Sequence, residues 1–178
     1  MNKIIIDEVI FDKYQTTIIK CQEDKAGEYK IPDNILFIEQ EAFINCIHLS
    51  RVWLPNSLLS IESGAFKGCS GLVSINIPSK IIYLHNGLLN GCINLREIYL
   101  HCAIPPQCIS GNYSTSLYND ELMLINRPIS YKQSDERLTC FNGINKTTCK
   151  LYVPMGTVNA YSEAIGWREF ENIIEESI

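Results

Sequence analysis

The chain has 178 residues and a formal charge of −5, and it is 46% hydrophobic and 20% charged. That composition suits one packed core and excludes a disordered tail or a collagen-like fibre. The balance of 15 basic against 20 acidic residues speaks against nucleic acid or an anionic membrane as the main partner, because both demand a basic face.

Twenty-seven residues are isoleucine, and branched side chains pack well on a pleated surface, so strands are expected. The opening residues 1–8 carry one lysine and a three-residue apolar run before the first acids, which does not make a secretory signal. Two locations stay open: the cytoplasm, or the cell surface once a leader has been removed. No stretch reaches the roughly 18 apolar residues of a membrane helix.

Residues 4–11 and 16–20 read as two strands, and a reversal at residues 23–27 leads into Glu28-Tyr29-Lys30. This is an N-terminal β cap over residues 1–30. Such a cap covers the apolar end and unpaired edge that a stacked array exposes.

The array occupies residues 31–108. Ile31-Pro32, Leu54-Pro55 and Ile77-Pro78 stand 23 residues apart, and Leu100 continues the series with His101 in place of proline. The spacing recurs in Ile35, Leu58, Ile81 and Ile104; in Ile38, Ile61 and Leu84; and in Phe43, Phe66 and Leu89. Cys46, Cys69 and Cys92, then Leu49, Leu72 and Leu95, then Val52, Ile75 and Ile98 complete the columns. A period in the twenties predicts a solenoid whose units bury apolar faces against their neighbours. Alternation around residues 52–54 gives each turn a short parallel strand. The proline after it lacks an amide hydrogen and ends the ladder. Strands are expected to end near Ile31, Leu54, Ile77, Leu100 and Val153, parallel and adjacent in that order.

Residues 109–148 interrupt the pattern, with residues 109–139 polar and carrying Tyr113, Tyr118 and Tyr131. A connection this long is functional or unstructured by general experience. Residues 149–178 read as a final strand and a C-terminal cap. In it Thr157 caps a short helix running to Ala164, and Gly166 stops it.

These columns resemble the BspA-like (Treponema-type) bacterial leucine-rich repeats. Leu54-Pro55, Leu58, Ile61, Gly64-Ala65-Phe66, Cys69, Leu72, Ile75 and Ile77-Pro78 follow that family's pattern. The resemblance covers residues 28–105 and returns at Cys149-Lys150-Leu151-Tyr152-Val153-Pro154. It implies a strand-rich α/β-type leucine-rich-repeat solenoid with a short parallel sheet, and a non-catalytic role in adhesion or host-protein recognition. His101 for proline and Leu88-Leu89 for alanine-phenylalanine depart from the pattern.

Candidate chemistry is sparse. Cys46, Cys69 and Cys92 share one inward column and are expected to be buried, reduced and structural, each a small hydrophobe with a weak donor. Cys108 and Cys140 bracket the insertion and can tie it off in an oxidising compartment, with Cys102 and Cys149 near enough in sequence to compete. No metal site is expected, since His48, His85 and His101 share no column and a structural zinc needs four convergent ligands. No cofactor motif and no nucleophile motif occurs.

The exposed strand face carries the functional reading. Its column reads Lys30, Trp53, Asn76, Tyr99, Tyr152, and two positions earlier Glu28, Arg51, Ser74, Glu97, Lys150. Arg51, Trp53, Ser74, Asn76, Glu97, Tyr99 and Tyr152 are the expected contact residues. Trp53, Tyr99 and Tyr152 should be open to solvent, with Asn76 between the first two. Glu28 with Arg51, and Glu97 with Lys150, face each other as pairs. Plain cross-strand stabilisation competes with recognition as the reason for these residues. The expected partner is another protein, of a host or a cell surface. A carbohydrate or small ligand stacked on Trp53 and Tyr99 is the first alternative, and an enzyme built on residues 109–139 the second.

Overall fold

A computed structural model describes residues 3–109 and 140–177. The chain enters through β1 (Ile4–Ile6), β2 (Val9–Phe11) and β3 (Thr17–Cys21). The solenoid then alternates long and short strands: β4 (Gly27–Lys30), β5 (Phe37–Ile38), β6 (Leu49–Trp53), β7 (Ser60–Ile61), β8 (Ser74–Ile77), β9 (Tyr83–His85), β10 (Glu97–Leu100) and β11 (Gln107–Ile109). It closes with β12 (Lys150–Pro154), the helix α1 (Val158–Glu163) and β13 (Asn172–Glu176).

Each turn gives one strand to a parallel sheet ordered β13-β12-β10-β8-β6-β4. Val52 pairs with Ile75, Ile75 with Ile98, and Ile98 with Leu151, so the 23-residue spacing is the ladder register itself. A slip of one residue would turn each of these inward side chains to solvent. The short strands build a second wall, ordered β1-β2-β3-β5-β7, beside the β9–β11 pair. Between the walls lie the leucine and isoleucine columns, fully buried, with Phe43 and Phe66 stacked at 4.9 Å between ring centroids. Residues 140–142 pair with the turn at residues 89–91: the Leu89 amide donates to Cys140 O and the Gly91 amide to Asn142 O.

One corner recurs in four of the turns. Asn45, Gly68, Gly91 and Gly143 have φ of 59°, 75°, 80° and 86°, the left-handed region where a side chain is strained. Stacking tightens the requirement, since a Cβ on Gly91 would lie 3.4 Å from the Gly68 Cα. Gly91→Ala is therefore expected to cost about 1–2 kcal/mol, read as a lower urea midpoint with unchanged slope.

Several expectations are corrected. Residues 4–11 are not one strand: Asp7 and Glu8, at φ 48° and 64°, turn the chain, and β1 pairs antiparallel with β2. The hairpin is pinned from behind by Lys25, only 4% exposed. Its Nζ donates to Asp7 Oδ2 at 2.7 Å and Asp7 O at 2.9 Å, and lies 4.4 Å over the Tyr29 ring.

Ile35, Leu58 and Ile81 are buried, but Ile104 is 82% exposed. Each of the first three closes a turn by donating its N–H to the proline carbonyl three residues earlier. Ile104 precedes Pro105, and a following proline ring disfavours that turn conformation. Thr157 does precede α1, yet its hydroxyl donates to Pro154 O at 2.7 Å instead of capping the helix. Within the C-terminal cap expected for residues 149–178, β13 is a sixth strand of the main sheet.

Candidate binding face of the parallel sheet

The six strands bring one outward residue each into a transverse row: Lys30, Trp53, Asn76, Tyr99, Tyr152 and Ile174. Trp53 is 42% exposed and Ile174 is exposed beside Tyr152. Tyr99 and Tyr152, both half-buried, stack with centroids 4.6 Å apart and planes 7° from parallel. That separation is the strand spacing, so register alone sets the stack. The Tyr99 hydroxyl donates to Glu97 Oε2 at 3.3 Å. Partial burial, then the neighbouring Glu97 charge, push the Tyr99 pKa up, so the hydroxyl stays a donor.

A second row runs Glu28, Arg51, Ser74, Glu97, Lys150 and Asn172. Arg51 Nη1 lies 3.7 Å from Glu28 Oε1, both side chains well exposed, so this pair adds little stability. Glu97 faces Lys150 in the register, but no ion pair joins them among the described residues. The Glu97 carboxylate takes the Tyr99 hydroxyl instead.

Two expected contact residues are buried, and Tyr99 and Tyr152, expected to be open to solvent, are only partly exposed. Ser74 is 5% and Asn76 8% accessible. Strand alternation assigns a face, not a depth. Ser74 is short between Arg51 and Glu97, and Asn76 is bound to the backbone: it accepts from Leu54 N–H at 2.7 Å and donates to Leu54 O at 2.9 Å. The row thus dips at Asn76, between Trp53 on one side and the tyrosine stack on the other. Ile174 extends the patch and was hidden in the sequence, because residues 172–176 carry no 23-residue signature.

Away from this face, Cys46, Cys69 and Cys92 are fully buried. Cys69 and Cys92 donate to the phenylalanine carbonyl of the turn before: Cys69 Sγ to Phe43 O at 3.0 Å and Cys92 Sγ to Phe66 O at 3.2 Å. Burial pushes the Cys92 thiol up to about 12, so it stays protonated and unreactive. No group of three metal-ligating side chains occurs among the described residues. Residues 110–139, on which an enzyme reading rests, lie outside them.

His85 is 6% exposed, and its Nδ1 has no hydrogen-bond partner among the described residues. Burial lowers its pKa below 6.5, and the Glu62 charge only partly opposes this. A depressed histidine binds its proton more tightly when unfolded, so its contribution is complete above pH 6.5 and is lost as pH falls below that. The melting temperature should therefore drop between pH 7 and pH 5. The drop should be shallower in His85→Gln, with the remainder partly from His101, whose pKa burial also lowers.

The comparisons with known proteins fit this geometry. The BspA type leucine rich repeat region matches residues 6–148 in 6 copies. No curated protein matches the sequence. Among solved structures, a leucine rich cell surface protein from Faecalibacterium prausnitzii A2-165 superposes with TM-score 0.61 at 20% identity, over 99% of this chain and 40% of that one. The pneumococcal vaccine antigen PcpA superposes with TM-score 0.54 at 18% identity, over 99% and 48%. A leucine-rich repeat protein from Bacteroides ovatus ATCC 8483 gives 0.53 at 16%, over 96% and 40%. The chain thus spans less than half the length of these structures, and at such identities the likeness is one of fold.

Proposed function

The chain belongs to the BspA-type leucine-rich repeat family, and we propose that it is a non-catalytic protein-recognition module that engages its partner through the outer face of the six-stranded sheet. One observation carries this reading: Trp53 and the Tyr99–Tyr152 stack stand on the same face, with Trp53 open to solvent. Tryptophan, tyrosine and arginine are the residue types that dominate binding energy at protein interfaces. Three strand spacings separate Trp53 from Tyr152, about 14 Å, which suits a small contact patch. Arg51, Glu97 and Lys150 form a rim of mixed charge, useful for orienting a partner. The partner is another protein, and a cell-surface location accords with the printed description of one structural neighbour. No helix among the described residues is long and apolar enough to cross a membrane. A patch this small gives modest affinity alone, so several copies would be needed for firm attachment.

The test is a pull-down from cell-surface and host extracellular extracts with immobilised wild type, Trp53→Ala and Tyr152→Ala. A protein retained by wild type and lost from both variants, with circular dichroism unchanged, is the expected result. Equal retention by all three removes the face from consideration. Retention of glycans alone on a parallel array replaces the protein partner with a carbohydrate.

A further inference from the structure

All eight cysteines are free and buried, but they are of two kinds. Cys69 and Cys92 donate to main-chain carbonyls of the preceding turn, Cys102 to Pro78 O at 3.2 Å and Cys149 to Lys150 O at 4.0 Å. Four others meet in pairs. The Cys21 and Cys46 sulfurs both lie 3.5 Å from the same oxygen, Gln22 O, which brings the two thiols side by side. Cys140 packs against the strand pair that carries Cys108, its sulfur 3.3 Å from His85 O. The Cys140 sulfur is 3.4 Å from Leu84 O, and Leu84 is the register partner of Cys108. Neither Cys102 nor Cys149 shares this second contact, which favours Cys108 with Cys140 over the other pairings that sequence spacing left open.

We propose that Cys21–Cys46 and Cys108–Cys140 are two disulfide sites, closed during folding by exchange with a low-molecular-weight disulfide such as oxidised glutathione. The Cys46 thiolate attacks one glutathione sulfur, forming a mixed disulfide and releasing one glutathione thiolate. Cys21 then loses its proton to solvent and attacks the Cys46 sulfur, and the second glutathione leaves. Two protein thiols are oxidised and one glutathione disulfide is reduced to two thiols. The reverse order, with Cys21 attacking first, gives the same bond, and in either order the thiolate is the attacking species. Cys108 and Cys140 close by the same two exchanges. The first bond joins the N-terminal cap to the first turn, and the second joins β11 to the turn that begins at Cys140. This inference does not depend on the partner proposed above.

The test refolds the whole chain in a mixture of reduced and oxidised glutathione, blocks remaining thiols with iodoacetamide and maps tryptic peptides by mass spectrometry. Residues 21–25 should be linked to residues 31–51, and residues 97–132 to residues 138–146. Fragmentation of the second link should place it on Cys108 rather than Cys102. Four thiols should be alkylated instead of eight, and each bond should raise the melting temperature by roughly 5–10 °C over the reduced protein. A sample oxidised in urea should give mixed pairings. Alkylation of all eight thiols after native refolding, or links joining other cysteines, would overturn the proposal.

Discussion

Cys69→Asp is expected to abolish the native fold at neutral pH, whereas Cys69→Val should leave it standing. Cys69 is fully buried in the middle of the cysteine column, its Sγ directed at Phe43 O. An aspartate there must either keep a charge in an apolar site or take up a proton against its ordinary pKa. Both cost several kcal/mol, out of a total stability of about 5–15 kcal/mol for a domain. Valine keeps the volume close and removes only a weak donor. Phe43 O is not orphaned by that loss, because the Cys46 amide also donates to it at 3.2 Å. The expected cost of valine is under about 1.5 kcal/mol. Urea melts followed by circular dichroism check both variants. The aspartate chain should recover part of its structure near pH 4, where the buried carboxyl is neutral. An aspartate variant with the wild-type midpoint at pH 7 would mean that the site is wetter than its burial indicates.

The repeated part of the fold was legible because identical residues at fixed spacing meet one another. Val52, Ile75 and Ile98 had to share a column, and they do. What lacked a second copy was not legible. The Asp7-Glu8 turn carries neither glycine nor asparagine, the residues that usually announce a left-handed pair, so two strands read as one. Lys25 looked like a loop lysine, and only the meeting of Asp7 with Tyr29 around it explains its burial. Ile104 had the right spacing but the wrong successor, Pro105. On the candidate face, alternation correctly turned Trp53 outward but could not give the depth of Ser74 or Asn76, which depends on side-chain length and on which backbone groups need partners. The thiol contact of Cys21 with Cys46 was hidden for a related reason: Cys21 lies 25 residues before Cys46, outside the 23-residue column.

Asn76→Ala is expected to lower stability by about 2–5 kcal/mol, although asparagine stands in the outward row of the sheet. The ladder between β6 and β8 runs through Arg51 with Ser74 and Val52 with Ile75. Beyond it, the N–H and carbonyl of Leu54 are both taken by the Asn76 amide. Leu54 is 4% exposed, so little water is available to replace that amide. Alanine leaves a donor and an acceptor unpaired, at about 1–3 kcal/mol each. Asn76→Asp keeps the acceptor for the Leu54 N–H but sets a carboxylate against the Leu54 carbonyl, so its folded-state pKa should rise. A raised carboxyl favours folding most below its unfolded value of about 3.9 and loses that advantage as pH climbs. Asn76→Asp should therefore sit nearest to wild type at low pH and fall furthest behind it at pH 7. Hydrogen exchange separates this role from surface binding. The Leu54 amide should be protected in wild type and should exchange at least about 30-fold faster in Asn76→Ala, the rate change that roughly 2 kcal/mol produces. If the amide stays protected and the urea midpoint does not move, the two side-chain bonds add nothing to the fold. Asn76 then returns to the binding face as a contact residue.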